Sequence, residues 1–139
     1  MAGVALLLQA HMMRTFGAAL AGFLVLDGLW LGVVMGTFYR DQLWPLARTS
    51  GDRLAPVWSV AGLVYVLLAA GVSGLVVPRA ETAAQAAALG ALFGLVVYGV
   101  YDLTNLATLR DWRVTLTLVD IAWGTCACAV VAWGAWTTQ

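Results

Sequence analysis

The sequence predicts an all-α membrane protein, a bundle of four transmembrane helices. Three observations predict it. Of 139 residues, 63% are hydrophobic and only 10% charged, against about 25% charged in an average soluble domain. The mean hydropathy is +0.90, more apolar surface than one small core can bury. The apolar residues also gather into four runs, each near the roughly 20 residues that cross a hydrocarbon layer. These properties exclude a soluble enzyme, a disordered chain and a nucleic-acid binder.

In chain order, residues 1–13 read as an uncertain N-terminal extension. Met1 to Ala10 is apolar but too short to span, and lacks the basic start of a signal peptide. Met12 or Met13 followed by Arg14 reads as a more natural beginning, so the integral membrane domain is placed at residues 14–139. Its spans are expected near 16–37, 57–77, 84–108 and 114–136. Pro45, Pro56 and Pro78 fall between spans or at their edges, where the chain must turn. The first connection, Tyr39 to Pro56, holds most of the polar loop residues. The second centres on Pro78-Arg79-Ala80-Glu81 and the third on Arg110-Asp111-Trp112-Arg113, short enough to make spans three and four an antiparallel hairpin.

Arg40, Arg48, Arg53, Arg110 and Arg113 lie in connections one and three, against Arg14 and Arg79 on the other side. The positive-inside bias then places connections one and three in the cytoplasm and both termini outside. Trp44, Trp58, Trp112, Trp133 and Trp136 sit near span ends, as interface anchors do. Arg40 reads as a headgroup anchor.

All seven cations are Arg and the single histidine is His11. Schiff-base chemistry and bis-imidazole haem ligation within one chain are therefore excluded, and no cofactor or metal is expected. Cys126 and Cys128 point to different helix faces and read as small buried hydrophobes.

Asp27, Asp102 and Asp120 lie inside spans, with no Arg or His inside a span to pair with them. Each would cost about 2.5–3.5 kcal/mol if it faced lipid, so the bundle must hide them. Asp102 and Asp120 each stand nine residues from Asp111, which puts both at one depth, about 13 Å from the turn. Asp27 lies roughly 18 Å before Tyr39 on the same side. The three acids are expected to share one polar pocket, with carboxyl groups in contact sharing a proton. Asn105, tyrosine hydroxyls and the indole N–H groups of Trp30 and Trp123 can satisfy them.

The neighbours carry the same pattern. Gly90, Gly94, Tyr98, Tyr101, Asp102 and Asn105 recur every three or four residues, as do Thr117, Asp120, Gly124 and Ala127 or Cys128. Gly28, Gly32 and Gly36 give GxxxG spacing beside Asp27, a face that lets helices approach closely. Tyr65 and Ser73 on span two read as packing. Asp27-x-x-Trp30 and Asp120-x-x-Trp123 form an internal echo on two antiparallel spans, too short to establish a repeat.

The stretches Tyr101-Asp102-Leu103-Thr104-Asn105-Leu106-Ala107-Thr108-Leu109-Arg110 and Thr117-Leu118-Val119-Asp120-Ile121-Ala122-Trp123-Gly124-Thr125 are distinctive. With Leu26-Asp27-Gly28-Leu29-Trp30-Leu31-Gly32 and Phe38-Tyr39, they resemble the bacterial predicted membrane protein family called domain of unknown function 2177. The resemblance runs from Met12 onward. It implies a four-helix membrane protein and no established activity, with Asp27, Trp30, Asp102, Asn105, Asp120 and Trp123 at motif positions.

Buried Asp residues can simply bond helix to helix, or they can bind a ligand, an ion or a proton. The leading functional reading is a non-catalytic protein whose carboxylate pocket binds a small or lipidic ligand, or an accessory subunit of a membrane complex. Its candidate ligand- or proton-binding residues are Asp27, Asp102, Asp120, Asn105, Tyr98, Tyr101, Trp30 and Trp123. The partners expected are membrane lipid, a second copy of the chain or a larger membrane complex, and no nucleic acid. The alternatives are a proton-coupled exporter acting as an oligomer and, last, a lipid-modifying enzyme, which no nucleophile–base pair, metal motif or nucleotide loop supports.

Overall fold

A computed structural model of the chain describes residues 2–139; Met1 lies outside the described residues. Helix α1 runs Ala2–Leu29 and continues through a π-helical turn, Trp30–Val34. A short helix, α2 (Gly36–Leu43), and a two-stranded hairpin, β1 (Thr49–Ser50) with β2 (Arg53–Leu54), make up most of the first connection. Helix α3 (Trp58–Gly71) passes through a π-helical turn (Val72–Val76) into a 3-10 turn at Val77–Arg79. Helices α4 (Ala83–Thr108) and α5 (Val114–Trp136) complete the bundle.

Four helices are long and apolar enough to cross a membrane: Gly3–Val34, Trp58–Arg79, Ala83–Thr108 and Val114–Trp136. The last three coincide with the expected spans to within two residues at each end. The first begins far earlier than Phe16. At 1.5 Å per residue its 32 residues are about 48 Å long, more than the ~30 Å of a hydrocarbon core. Ala, Leu and Met are good helix formers, and no glycine or proline interrupts the chain between Gly3 and Gly17. Val4, Leu6, Leu7 and Leu8 are exposed, and Met12 and Met13, also exposed, border a cavity shared with Ala70, Ser73 and Gly74.

The helix starts and turns have local causes. Thr82 caps α4 by accepting the Gln85 N–H at 3.1 Å, while the Gln85 side chain accepts the Glu81 N–H at 2.7 Å. Gly51 turns the β1–β2 hairpin at φ +57°, a left-handed conformation that favours glycine. Met35, between the π-helical turn and α2, breaks the helix direction, and a Cβ on Gly36 would stand 2.5 Å from the Leu31 carbonyl oxygen.

Packing follows stripes of four. α1 buries Thr15, Ala19, Phe23 and Asp27. Down α4 the buried stripe takes in Ala86, Gly90, Gly94 and Asp102, with half-buried Tyr98 and buried Gly99 between the last two. On α5 they include Thr117, Gly124, Cys128 and Ala132. The α4–α5 pair is the tightest. A Cβ on Gly90 would meet Ala132 and the Cys128 carbonyl, one on Gly94 would meet the Gly124 carbonyl, and Gly124 lies under the ring of Tyr98. Inside lipid, where apolar burial does not drive association, such backbone-to-backbone contact does.

Gly28 and Gly32 do not serve this purpose. Both are exposed, and a Cβ on either would meet open space. The Met35 break turns α2 away from the line the GxxxG spacing assumed. Cys126 is likewise exposed rather than buried; only Cys128 enters the core.

Candidate functional site

The site forms where α1, α2, α4 and α5 meet. On α1, the four-residue stripe that buries Thr15, Ala19 and Phe23 carries Asp27 inward, 7% exposed. Its Oδ1 accepts the Trp123 indole N–H at 2.7 Å. On α5, Asp120 lies one turn from Trp123, and its Oδ1 accepts the Tyr39 hydroxyl at 2.6 Å. The same Tyr39 oxygen accepts the Trp30 indole N–H at 3.3 Å. Trp30 and Trp123 stack face to face, their ring centroids 4.2 Å apart and their planes 1° from parallel.

The internal echo therefore has a physical content. The tryptophan of each Asp-x-x-Trp segment supports the other segment's aspartate: Trp123 directly on Asp27, and Trp30 through Tyr39 on Asp120. The stacked indoles sit between the two arms of the exchange. Tyr39, on α2 outside the spans, has its phenol pushed well above its ordinary value near 10, first by burial and then by its hydrogen bond to Asp120. It stays a donor.

Asp102 occupies the inner layer of α4 at 0% exposure. It neighbours Asp120 across the α4–α5 contact. Neither of its carboxylate oxygens has a hydrogen-bond partner among the described residues. An unsatisfied buried acceptor is costly, and in this layer a proton held between the two carboxyl groups is what can satisfy Asp102.

Two cavities meet at this cluster. One of about 310 Å³ is lined by Asp27, Tyr39, Tyr98, Asp120 and Trp123, and covered by Leu43 of α2 and Leu54 of β2. A second, of about 340 Å³, is lined by Val64, Leu68, Val97, Tyr98, Tyr101 and Asp120. Its rim residues Val64, Val97 and Tyr101 are exposed, so it is a cleft between α3 and α4. On the same two helices the ring of Phe93 packs against Gly71. Asp120 and Tyr98 are the wall common to both cavities.

Of the residues singled out from sequence, Asp27, Asp102, Asp120, Tyr98, Trp30 and Trp123 come together. The single pocket expected for three acids holds two: Asp27 and Asp120 line it, and Asp102 stands behind Asp120. Tyr101 lies on the outer rim, its ring edge-on to Trp112 at 5.8 Å. Asn105 is one turn beyond Tyr101 and lines neither cavity.

Sequence reasoning missed two members. Tyr39 sat in a stretch read as a polar connection, although Phe38-Tyr39 was already part of the family motif. Tyr65 was read as packing, yet it lies beside Asp27. It stands four and eight residues before the buried Ala69 and Ser73, a stripe that pointed inward. The Ser73 hydroxyl turns back to the Ala69 carbonyl at 2.8 Å and takes no part.

The family model described as predicted membrane protein, DUF2177, matches residues 12–137. The chain belongs to this family. No curated protein and no solved structure matches it. The DUF2177 match thus covers the whole site, the last three spans and the first span from Met12 onward, and leaves out the first ten residues of α1. The DUF2177 chain is a multi-pass membrane protein with four spans.

Proposed function

We propose that this protein is a non-catalytic membrane protein that binds a lipid-like molecule, apolar part in the α3–α4 cleft and polar end at Asp120. One observation carries the reading. A single carboxyl group, Asp120, is shared by an apolar cleft with an exposed rim and by a polar cavity under α2 and the hairpin. An amphiphile needs that sequence of environments, and apolar pockets with a few placed polar groups are the usual form of small-molecule sites. On the arginine distribution, α2 and the hairpin face the cytoplasm of a bacterial inner membrane.

The test is native mass spectrometry of the chain released from mild detergent. Lipid is expected to remain bound to the wild type and to be lost in Val97→Trp, which fills the cleft. It should be kept in Leu92→Trp, at an exposed position outside the lining. Absence of bound lipid, or equal retention in Val97→Trp, would overturn the reading.

A second reading, a proton-coupled exporter, is favoured by one feature: Asp102 has no donor of its own behind the acid that both cavities touch.

A further inference from the structure

The polar cavity has an unusual balance of charge. Two acids, Asp27 and Asp120, line it, and Asp102 lies behind the second. The titratable groups packed around the acids are Asp27 from α1, Tyr39 from α2, Tyr65 from α3, Tyr98 and Tyr101 from α4, and Cys128 from α5. No Arg or His stands among them. One oxygen of each lining acid accepts a hydrogen bond, from Trp123 or from Tyr39, and the Tyr65 hydroxyl stands beside Asp27 as a further donor. Asp102, fully buried, has no donor on either oxygen. The rest of the wall combines three aromatic side chains, Tyr39, Tyr98 and Trp123, with Leu31, Gly36, Leu43 and Leu54. A buried carboxylate needs a counter-charge or a proton, and aromatic faces attract cations.

We propose that the polar end of the ligand is an organic cation, an alkylammonium group seated between Asp27 and Asp120, and that it enters in exchange for the proton shared by Asp102 and Asp120. This rests on the reading above that an amphiphile's polar end lies at Asp120. In the cation-free state the proton bridges the two carboxyl groups and satisfies Asp102. When the cation arrives, that proton leaves Asp120 for solvent through the polar cavity, and the positive charge takes its place. Charge is conserved at the site: one proton out, one cation in. Proton and cation compete, so acid pH weakens cation binding.

The experiment uses the full chain in a maltoside detergent with two probes. One is decyltrimethylammonium; the other is its neutral carbon isostere, 2,2-dimethyldodecane. Tryptophan fluorescence reports binding at the Trp30–Trp123 stack, and an indicator dye in weak buffer reports proton release. The cation is expected to bind and release about one proton, its affinity falling about tenfold per pH unit on the acid side. Asp120→Asn should weaken it by more than about thirtyfold, and Asp102→Asn should flatten the pH dependence. If Asp120→Asn does not fold, proton release by the wild type alone decides. Equal binding of the neutral isostere without proton release overturns the cation assignment and leaves the lipid-binding reading standing. No binding of either probe also overturns it, while retained lipid in the mass spectrum tests the underlying reading separately.

Discussion

Tyr39 joins two parts of the site that belong to different helices. Its hydroxyl donates to Asp120 and accepts from Trp30. Tyr39→Phe removes both bonds and leaves a half-buried carboxylate short of a donor. Such a loss costs about 1–3 kcal/mol, and thermal unfolding in detergent should register it. Arg40→Gln, next in sequence, should change stability by less than about 0.5 kcal/mol, because the Arg40–Asp41 pair is exposed. The Tyr39 phenol also has a pH signature. Its folded-state pKa lies above the unfolded one, so the folded chain holds a proton that the unfolded chain releases near pH 10. Its contribution to stability is complete below that pH and is lost as pH rises further. Alkaline titration should show three tyrosines or fewer ionising before unfolding, and Tyr39→Phe should not lower that number. The missed residue teaches something physical. A tyrosine in a polar connection carries no periodic signal, and only the fold of α2 back onto Asp120 makes it part of the site.

The elements differ in how much of them a sequence reveals. α4 and α5 were legible because each is a single apolar run ended by clear signals, Thr82 at one end and the Arg110–Arg113 turn at the other. Their small-residue stripe was legible too, since Gly90, Gly94 and Gly124 recur at helical spacing and all three lie in the contact. The same spacing misled at Gly28 and Gly32, because spacing gives a face but not what lies opposite. The two cases predict opposite outcomes. Gly94→Ala pushes a methyl group into the Gly124 carbonyl and Cys128, and should destabilise by about 1–3 kcal/mol. Gly28→Ala meets open space and should stabilise by about 0.5–1 kcal/mol through lost backbone freedom in the unfolded chain. Unfolding of both variants by denaturing detergent checks the pair. Helix α2 and the β1–β2 hairpin were illegible as elements, being shorter than the windows in which hydropathy speaks.

Across the whole molecule, charge is placed where lipid cannot reach it. The third connection puts Asp102 and Asp120 at one depth, since a tight hairpin leaves little freedom of register, and in the structure the two are neighbours. Counting back from Tyr39 puts Asp27 on the same side, about 18 Å deep against about 13 Å for the other two, but does not reveal the crossed support between the two Asp-x-x-Trp segments. That depends on the rotation of α1 against α5, which periodicity alone does not determine. Residues 81 and 96 positions apart in the chain, Tyr39 with Asp120 and Asp27 with Trp123, are thereby tied together at hydrogen-bond distance. Double-mutant cycles on these two pairs measure the convergence directly: Tyr39→Phe against Asp120→Leu, and Trp123→Phe against Asp27→Leu. Coupling of about 0.5–3 kcal/mol in each cycle is predicted. Additivity within about 0.3–0.5 kcal/mol in both would mean that the acids do not meet across the helices.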